Sequence, residues 1–296
     1  MRKVVVALLI AGWILVGQAA QKKGLKVFVS ADMEGIWGVV NAEQTSPGGD
    51  YGLARAWMVG DVNAVVEGLF QAGATEVVVN DSHGSMRNIV PSDLNPRASL
   101  ITGTPKPLSM MQGIDPSFDA AIFIGYHARA GSAPAILDHT ISSATVRAVR
   151  INGRELPEMG INGAIAGYYG VPVVMLSGDA ETCAQARAIF GNEIVTAAVK
   201  EAIGRNAARL LPLEEARLRL RDGAKEALAK RASIAPYKLT APYTFELELN
   251  TSLQAEAPTL IPGVKRTSPR TVTFSATDYI EGFKLLRGLI ALAAAS

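Results

Sequence analysis

Four short apolar runs limit this chain to few architectures: Leu25–Ala31, Glu76–Asn80, Ala120–Gly125 and Val171–Ser177, each breaking off into polar residues or glycine. Apolar runs of that length read as strands buried on both faces, as in a parallel sheet. Parallel strands need long crossover connections, and helical patterns lie between the runs. In Gly52–Ala72, Trp57, Val65, Leu69 and Phe70 fall near one helix face and Gly73 supplies the stop. The expected fold class is therefore α/β, a mostly parallel sheet with crossover helices.

Further along, Val146–Ile151 and Arg154–Leu156 flank Asn152-Gly153, a type I′ hairpin signal. A helix is expected from Glu158 to Tyr169, and mostly helix from Asp179 to about Ala232, where LEEARLRLRDGAKEALAKRA offers a charged, solvated face. From Tyr243 the character changes. YTFELELN and TVTFSATD alternate like half-buried strands, and Ile280–Ala295 closes as a helix. The proline-bearing stretch Ala235–Pro242 marks the expected boundary between an α/β metal-binding catalytic domain, residues 21–234, and a smaller C-terminal α+β unit, residues 235–296.

Residues 1–20 read as a secretory signal peptide. Arg2 and Lys3 precede the apolar run Val4–Val16, and Gly17-Gln18-Ala19 puts small residues where a signal peptidase cuts, after Ala19 or Ala20. The apolar run is shorter than the ~20 residues a spanning helix needs. The expectation is an exported protein, periplasmic or secreted, with no membrane association after cleavage. Outside residues 1–20 the basic and acidic residues balance at 27 each, which argues against a polyanion or nucleic-acid partner. The one cysteine, Cys183, cannot form an internal disulfide and reads as a small buried residue.

The chemistry gathers at the strand ends. The chain has three histidines, His83, His127 and His139. His83 follows Val77-Val78-Val79-Asn80-Asp81-Ser82, and His127 follows Ile122-Phe123-Ile124-Gly125-Tyr126. The first strand ends in Ser30-Ala31-Asp32-Met33-Glu34-Gly35. Ligands of open α/β sheets bind beyond the carboxyl ends of the strands, so Asp32, Glu34, His83 and His127 are placed to share one crevice. If the backbone is still extended, Asp32 and Glu34 point the same way and can share one ion or bridge two. A mixed carboxylate and imidazole set suits zinc better than calcium or magnesium, with manganese or iron as alternatives. Each residue also has a plain structural role: Asp32 and Glu34 as caps, His83 as a loop tie, His127 as a satisfied core residue. Those roles give no reason for such groups to assemble at three strand ends. His139, in a loop rich in Gly, Ala and Pro, is either a proton-transfer group or an exposed partner of Asp138. Glu158 opens a helix, where a carboxylate serves equally as cap or ligand.

These residues carry a resemblance. Ser30-Ala31-Asp32-Met33-Glu34-Gly35, Asn80-Asp81-Ser82-His83, Gly125-Tyr126-His127-Ala128-Arg129 and Glu158-Met159-Gly160-Ile161-Asn162 resemble the motifs of the D-aminopeptidase family of zinc metallopeptidases, as do Ala166-Gly167-Tyr168-Tyr169 and Ser177-Gly178-Asp179. The resemblance implies an aminopeptidase with two zinc ions per subunit, acting on short peptides with D-amino acids at the amino end, such as D-Ala-D-Ala. By position it implies that Asp32 bridges the ions, that Glu34 and His127 complete one site and His83 and Glu158 the other, and that His139 is the catalytic residue. It also implies a ring-like homo-oligomer, a decamer. The signal peptide departs from the typifying member, a cytoplasmic protein, and points to cell-wall fragments as substrates. Trp37 departs too, as a large aromatic group close to the expected metals. A two-metal phosphoesterase and a non-catalytic exported metal- or peptide-binding protein are the alternatives.

Overall fold

The computed structural model describes residues 24–296, so the signal peptide expected at 1–20 lies outside the described residues. In chain order the elements are β1 (Leu25–Ala31), α1 (Tyr51–Gln71), β2 (Ala74–Asp81), β3 (Ser99–Ile101), β4 (Ala120–Ile124), β5 (Val146–Ile151), β6 (Arg154–Glu155) and α2 (Glu158–Tyr168). There follow β7 (Val173–Asp179), α3 (Ala180–Phe190), β8 (Val195–Gly204), β9 (Ala207–Leu210), α4 (Leu213–Lys230), β10 (Tyr243–Leu249), β11 (Lys265–Ser268), β12 (Thr271–Ala276) and α5 (Tyr279–Ala294). The fold is α/β, with a second, smaller sheet.

The main sheet runs β3-β2-β1-β4-β7-β8-β9, parallel except for β9, which pairs antiparallel with β8 at the edge. Its central strands are buried on both faces, and the two-residue period of β1 shows how they divide. Val27, Val29 and Ala31 pack into a core with α1 and α4, while Phe28 faces a core with α2, α5 and the second sheet. Cys183 is buried on α3, and burial pushes its thiol up to about 12, as expected of an inert packing residue.

The second sheet, β11-β12-β10-β5-β6, is antiparallel. Its β5–β6 hairpin turns at Asn152 and Gly153 with φ of 53° and 75°, the positive pair a type I′ turn demands. β5 pairs directly with β10. The second sheet therefore draws strands from both sides of Ala235–Pro242 and is not confined to the last sixty or so residues of the chain.

One sequence expectation is corrected. Val195–Leu210, expected within a mostly helical stretch, forms the β8–β9 hairpin at the sheet edge. Alanines in Val195–Gly204 give the segment a helical look, but β8 pairs with β7 along its first half, and tertiary pairing overrides intrinsic preference.

The strand order places the site. From β1 the chain runs outward to β2 and β3, then crosses back to β4 on the other side of β1. The switch point, where connections leave in opposite directions and a crevice opens, is thus at the carboxyl ends of β1 and β4. Past their ends the two segments remain tied: Asp32 N donates to Ile124 O at 2.8 Å and Gly35 N to Gly125 O at 2.7 Å. This approach needs glycine. A Cβ on Gly35 would stand 2.0 Å from Tyr126 O, and one on Gly125, whose φ is +69°, would stand 2.3 Å from Asp32 O. Gly35→Ala should therefore cost about 1–3 kcal/mol of stability, as overpacking does, and should also weaken metal retention by spreading Glu34 from His127. Urea denaturation and zinc titration of the variant check this, and unchanged values in both would show that the contact does not set the spacing.

Candidate metal centre

Asp32 and Glu34 follow β1, His83 follows β2, His127 follows β4, and Glu158 is the first residue of α2. His139 comes from the loop between β4 and β5, with its amide donating to Ala128 O at 3.2 Å. The structure brings all six together. Asp32, Glu34, His127 and Glu158 are each at most 6% exposed, a degree of burial that isolated carboxylates do not tolerate.

The three imidazoles share one arrangement. His83 Nε2 lies 2.8 Å from Thr45 O, His127 Nδ1 lies 3.1 Å from Ala128 O, and His139 Nδ1 lies 2.8 Å from Leu137 O. A carbonyl can only accept, so these contacts assign the proton of each neutral ring to that nitrogen. The other nitrogen then turns a lone pair toward carboxylates. His83 Nδ1 is 3.2 Å from Asp32 Oδ1 and 3.1 Å from Glu34 Oε2. His127 Nε2 is 3.6 Å from both Asp32 Oδ2 and Glu158 Oε1, and His139 Nε2 is 3.8 Å from Glu34 Oε1. His127 Nε2 is buried without a hydrogen-bond partner. Lone pairs facing carboxylate oxygens repel unless a cation lies between them. The donor set thus fits a metal, in the outer-shell pattern common to metal-binding histidines.

The electrostatics agree. Without a metal, protons must act as the cations. Burial, then the charge of Glu34, raises Asp32 to about 8. Burial opposes charge on His127, but the carboxylate of Glu158, 3.6 Å from Nε2, prevails and lifts it to about 10. Burial likewise opposes charge on His83, yet Glu34 and Asp32 hold it well above the usual imidazole range. His139 moves the other way, lowered by burial and by the charge of His127, against which its ring stacks with centroids 3.7 Å apart. Among the described residues two groups have donor atoms close enough to hold one ion: Asp32, Glu34 and His127, and His127, His139 and Glu158. Asp32 presents one oxygen toward His83 and the other toward His127, as a bridging carboxylate would.

Several supporting residues gave no signal as site residues. Lys200, on β8 and fully buried, donates to Glu34 O and Ile36 O at 2.7 Å and to Val39 O, holding the loop that carries Glu34. Burial lowers its pKa to about 7, but three carbonyls need three donors, which only the ammonium supplies. The trace it leaves in sequence is a lysine among the alanines and valines of Val195–Gly204. Beneath the site, Ser30 Oγ bonds with Ser82 Oγ and Tyr126 OH, each at 2.8 Å, and Asn162 Nδ2 donates to Tyr126 OH. Glu158 does more than begin its helix: its Oε2 accepts from Ile141 N at 2.7 Å and so ties the His139 loop to the site. Trp37, expected near the metals, points elsewhere. Its indole donates to Leu211 O and packs edge-on against Trp57.

A cavity of about 240 Å³ opens onto the cluster, lined by Asp32, Glu34, His83, His139, Glu158 and, from α5, Arg287. A wider groove of about 790 Å³ between α1 and α4 contains none of the six residues; the donor groups, not the volume, locate the chemistry.

Comparisons with known proteins agree with this geometry. A family model described as D-aminopeptidase matches residues 25–288. The D-aminopeptidase of Bacillus subtilis strain 168 is 36% identical over 271 residues, covering 91% of this chain and 98% of that one. Among solved structures, the Zn-dependent D-aminopeptidase DppA from Bacillus subtilis, described as a self-compartmentalizing protease, superposes with a TM-score of 0.89 at 35% identity, covering 92% of this chain and 99% of that one.

Zinc at a hundred times its dissociation constant should stabilise the protein by about 2.7 kcal/mol, raising Tm by roughly 5–10 °C for a chain of this size. His127→Ala should lose most of that increment. Equal zinc-induced shifts in both proteins, read by scanning calorimetry, would remove His127 from the centre. Lys200→Met should cost about 3 kcal/mol or more in urea denaturation, since it leaves three carbonyls without donors; a cost below 1 kcal/mol would show that water replaces the ammonium.

Proposed function

The chain belongs to the D-aminopeptidase family, and on that premise we propose that it is a zinc-dependent aminopeptidase that removes D-amino acids from the amino end of short peptides of the D-Ala-D-Ala type. The observation that carries the zinc reading is the set of three imidazoles, each fixed by a backbone carbonyl and turned toward shared carboxylates. We assign two ions per subunit: Asp32 would hold both and, by the family motif, Glu34 and His127 would hold one and His83 and Glu158 the other. Bound zinc supplies Lewis acidity for the peptide carbonyl and brings the pKa of a water toward ~7.

The chain's own residues do the rest. Glu158 and Ile141 join the His139 loop to the cluster. Asp138 reinforces that loop by accepting from Gly131 N at 2.7 Å and pairing with Arg205. His139, its Nδ1 proton committed to Leu137 O, is left with Nε2 facing the cavity. There it can take up a proton from the attacking water and return it to the departing amine. The cavity, at about 240 Å³, lies below the ~300–1,000 Å³ of sites for drug-sized ligands, which suits a dipeptide. The pattern of residues 1–20 supports export, and with it a supply of cell-wall peptides as substrate. A homo-oligomer, a decamer in form, would shelter such a site from larger proteins.

The deciding experiment is release of free D-alanine from D-Ala-D-Ala by the zinc-loaded protein, beside L-Ala-L-Ala and a chelator control. Cleavage should be confined to the D-peptide and abolished by the chelator. Metal-loaded protein that cleaves neither dipeptide would overturn the peptidase reading and direct attention to phosphate esters. His139→Ala should keep its zinc and lose about 10²–10⁴-fold in kcat, the usual weight of general acid–base catalysis. Lost zinc would make His139 a ligand, and unchanged turnover would deny it any role.

A further inference from the structure

One charged group in the site cavity has no part in the chemistry above. Arg287 stands in the apolar stretch Leu285–Leu292 of α5, among the buried residues Leu286, Leu289 and Ile290. Its side chain lines the same cavity as Asp32, Glu34, His83, His139 and Glu158. It is partly buried, and burial lowers its pKa against the opposing charge of Glu158.

Among the described residues the Arg287 guanidinium forms no ion pair within 4.0 Å and donates no hydrogen bond. Glu158 does not serve it, because Glu158 Oε2 accepts from Ile141 N and Oε1 faces His127. The arginines of the adjoining cavity differ in this respect. Arg129 and Arg150 are paired with Glu155, and Arg205 with Asp138. A partly enclosed guanidinium with five donors, no acceptor and no protein partner is open to an anion that enters the cavity, and its fork matches a carboxylate in bidentate geometry.

Size says which carboxylate. In a dipeptide held with its amide carbonyl at the cluster, the terminal carboxylate follows one residue further on, about one Cα step of ~3.8 Å beyond. A cavity of about 240 Å³ with the cluster and Arg287 on its walls fits that short span. We propose that Arg287 is a specificity-determining residue that receives the carboxylate borne by the residue just after the scissile bond, and so selects free dipeptides over longer or blocked ones. This rests on the aminopeptidase reading.

The test compares D-Ala-D-Ala, D-Ala-D-Ala amide and D-Ala-D-Glu amide, whose carboxylate lies on a side chain, in the zinc-loaded wild type and in Arg287→Met and Arg287→Lys. The free dipeptide should be preferred over its amide by about 10- to 100-fold, the weight of a charge-assisted pair, expressed mainly in KM. In Arg287→Met that ratio should collapse toward one, and Arg287→Lys should restore part of it. An Arg287-dependent preference for D-Ala-D-Glu amide over D-Ala-D-Ala amide would assign the carboxylate to a side chain. A preference unchanged in Arg287→Met, or absent from the wild type, overturns the proposal. If no peptide is cleaved, the peptidase reading fails on its own, and calorimetric titration with D-Ala-D-Ala and its amide judges Arg287. A difference in Kd that Arg287→Met removes sustains the carboxylate site; equal Kd values in the wild type overturn it.

Discussion

Three imidazole nitrogens facing shared carboxylate oxygens are the constraint from which the rest of the molecule can be read. Each ring has its other nitrogen held by a backbone carbonyl, at Thr45, Ala128 and Leu137. None of these carbonyls belongs to a regular strand or helix, so the loops after the strands must be rigid to hold them. That rigidity has visible sources. Lys200 fixes the loop after β1, and Asp81 fixes the loop after β2 by accepting from Asn88 N and Ile89 N. Asp179 fixes the loop that carries His139 by accepting from Ile136 N at 2.7 Å. Buried polar groups outside the cluster are thus engaged in aiming those inside it, which is how a site keeps its geometry when its donors sit on loops.

The sheet sets the scale on which this works. With the chain leaving β1 for β2 and returning to β4, two strand ends that are neighbours in space are far apart in sequence. The glycine pair at 35 and 125 then brings the following segments into backbone contact. The second sheet contributes from the other side. Its β5–β6 hairpin delivers the chain to Pro157, where α2 begins and Glu158 projects into the cluster. Below that point Tyr279 OH donates to Ile161 O at 2.9 Å, joining α5 to α2.

What was legible in the sequence follows the same logic. The central strands, the crossover helix α1, the β5–β6 hairpin and the strand-end groups Asp32, Glu34, His83 and His127 were readable because each is a local pattern. The geometry gathers these with Glu158 and His139, whose local patterns fit a helix cap and an exposed loop residue equally well. The loop carbonyls that orient the rings have no residue-type signature at all. Strand β8 was hidden by its alanines, and the β5–β10 pairing joins segments about ninety residues apart that no local pattern connects. The direction of Trp37 is not legible in sequence, because nearness to Glu34 along the chain says nothing about the side of the loop on which an indole emerges. Lys200 and Arg287 give no signal in sequence for one shared reason: a basic residue on a strand or helix looks like a surface position, and only packing shows that it is enclosed.

The placement of Arg287 also explains why the second sheet is more than a buttress. An arginine on a mobile tail would find solvent or a surface carboxylate and lose its selectivity. Here α5 is pinned along its length, by Gly282 lying against the Phe245 ring, by the bond from Tyr279 to α2, and by Leu286, Leu289 and Ile290 in the core. On so firmly packed a helix the Arg287 backbone keeps a fixed place on the cavity wall, so only the side-chain rotamers remain to be ordered on binding. Glu158 on α2 and Arg287 on α5 then keep a fixed separation, because the helices that carry them are bonded to each other. The cation-binding end of the cavity and its anion-accepting wall become two features of one rigid body, and the length of peptide that spans them is set by the fold.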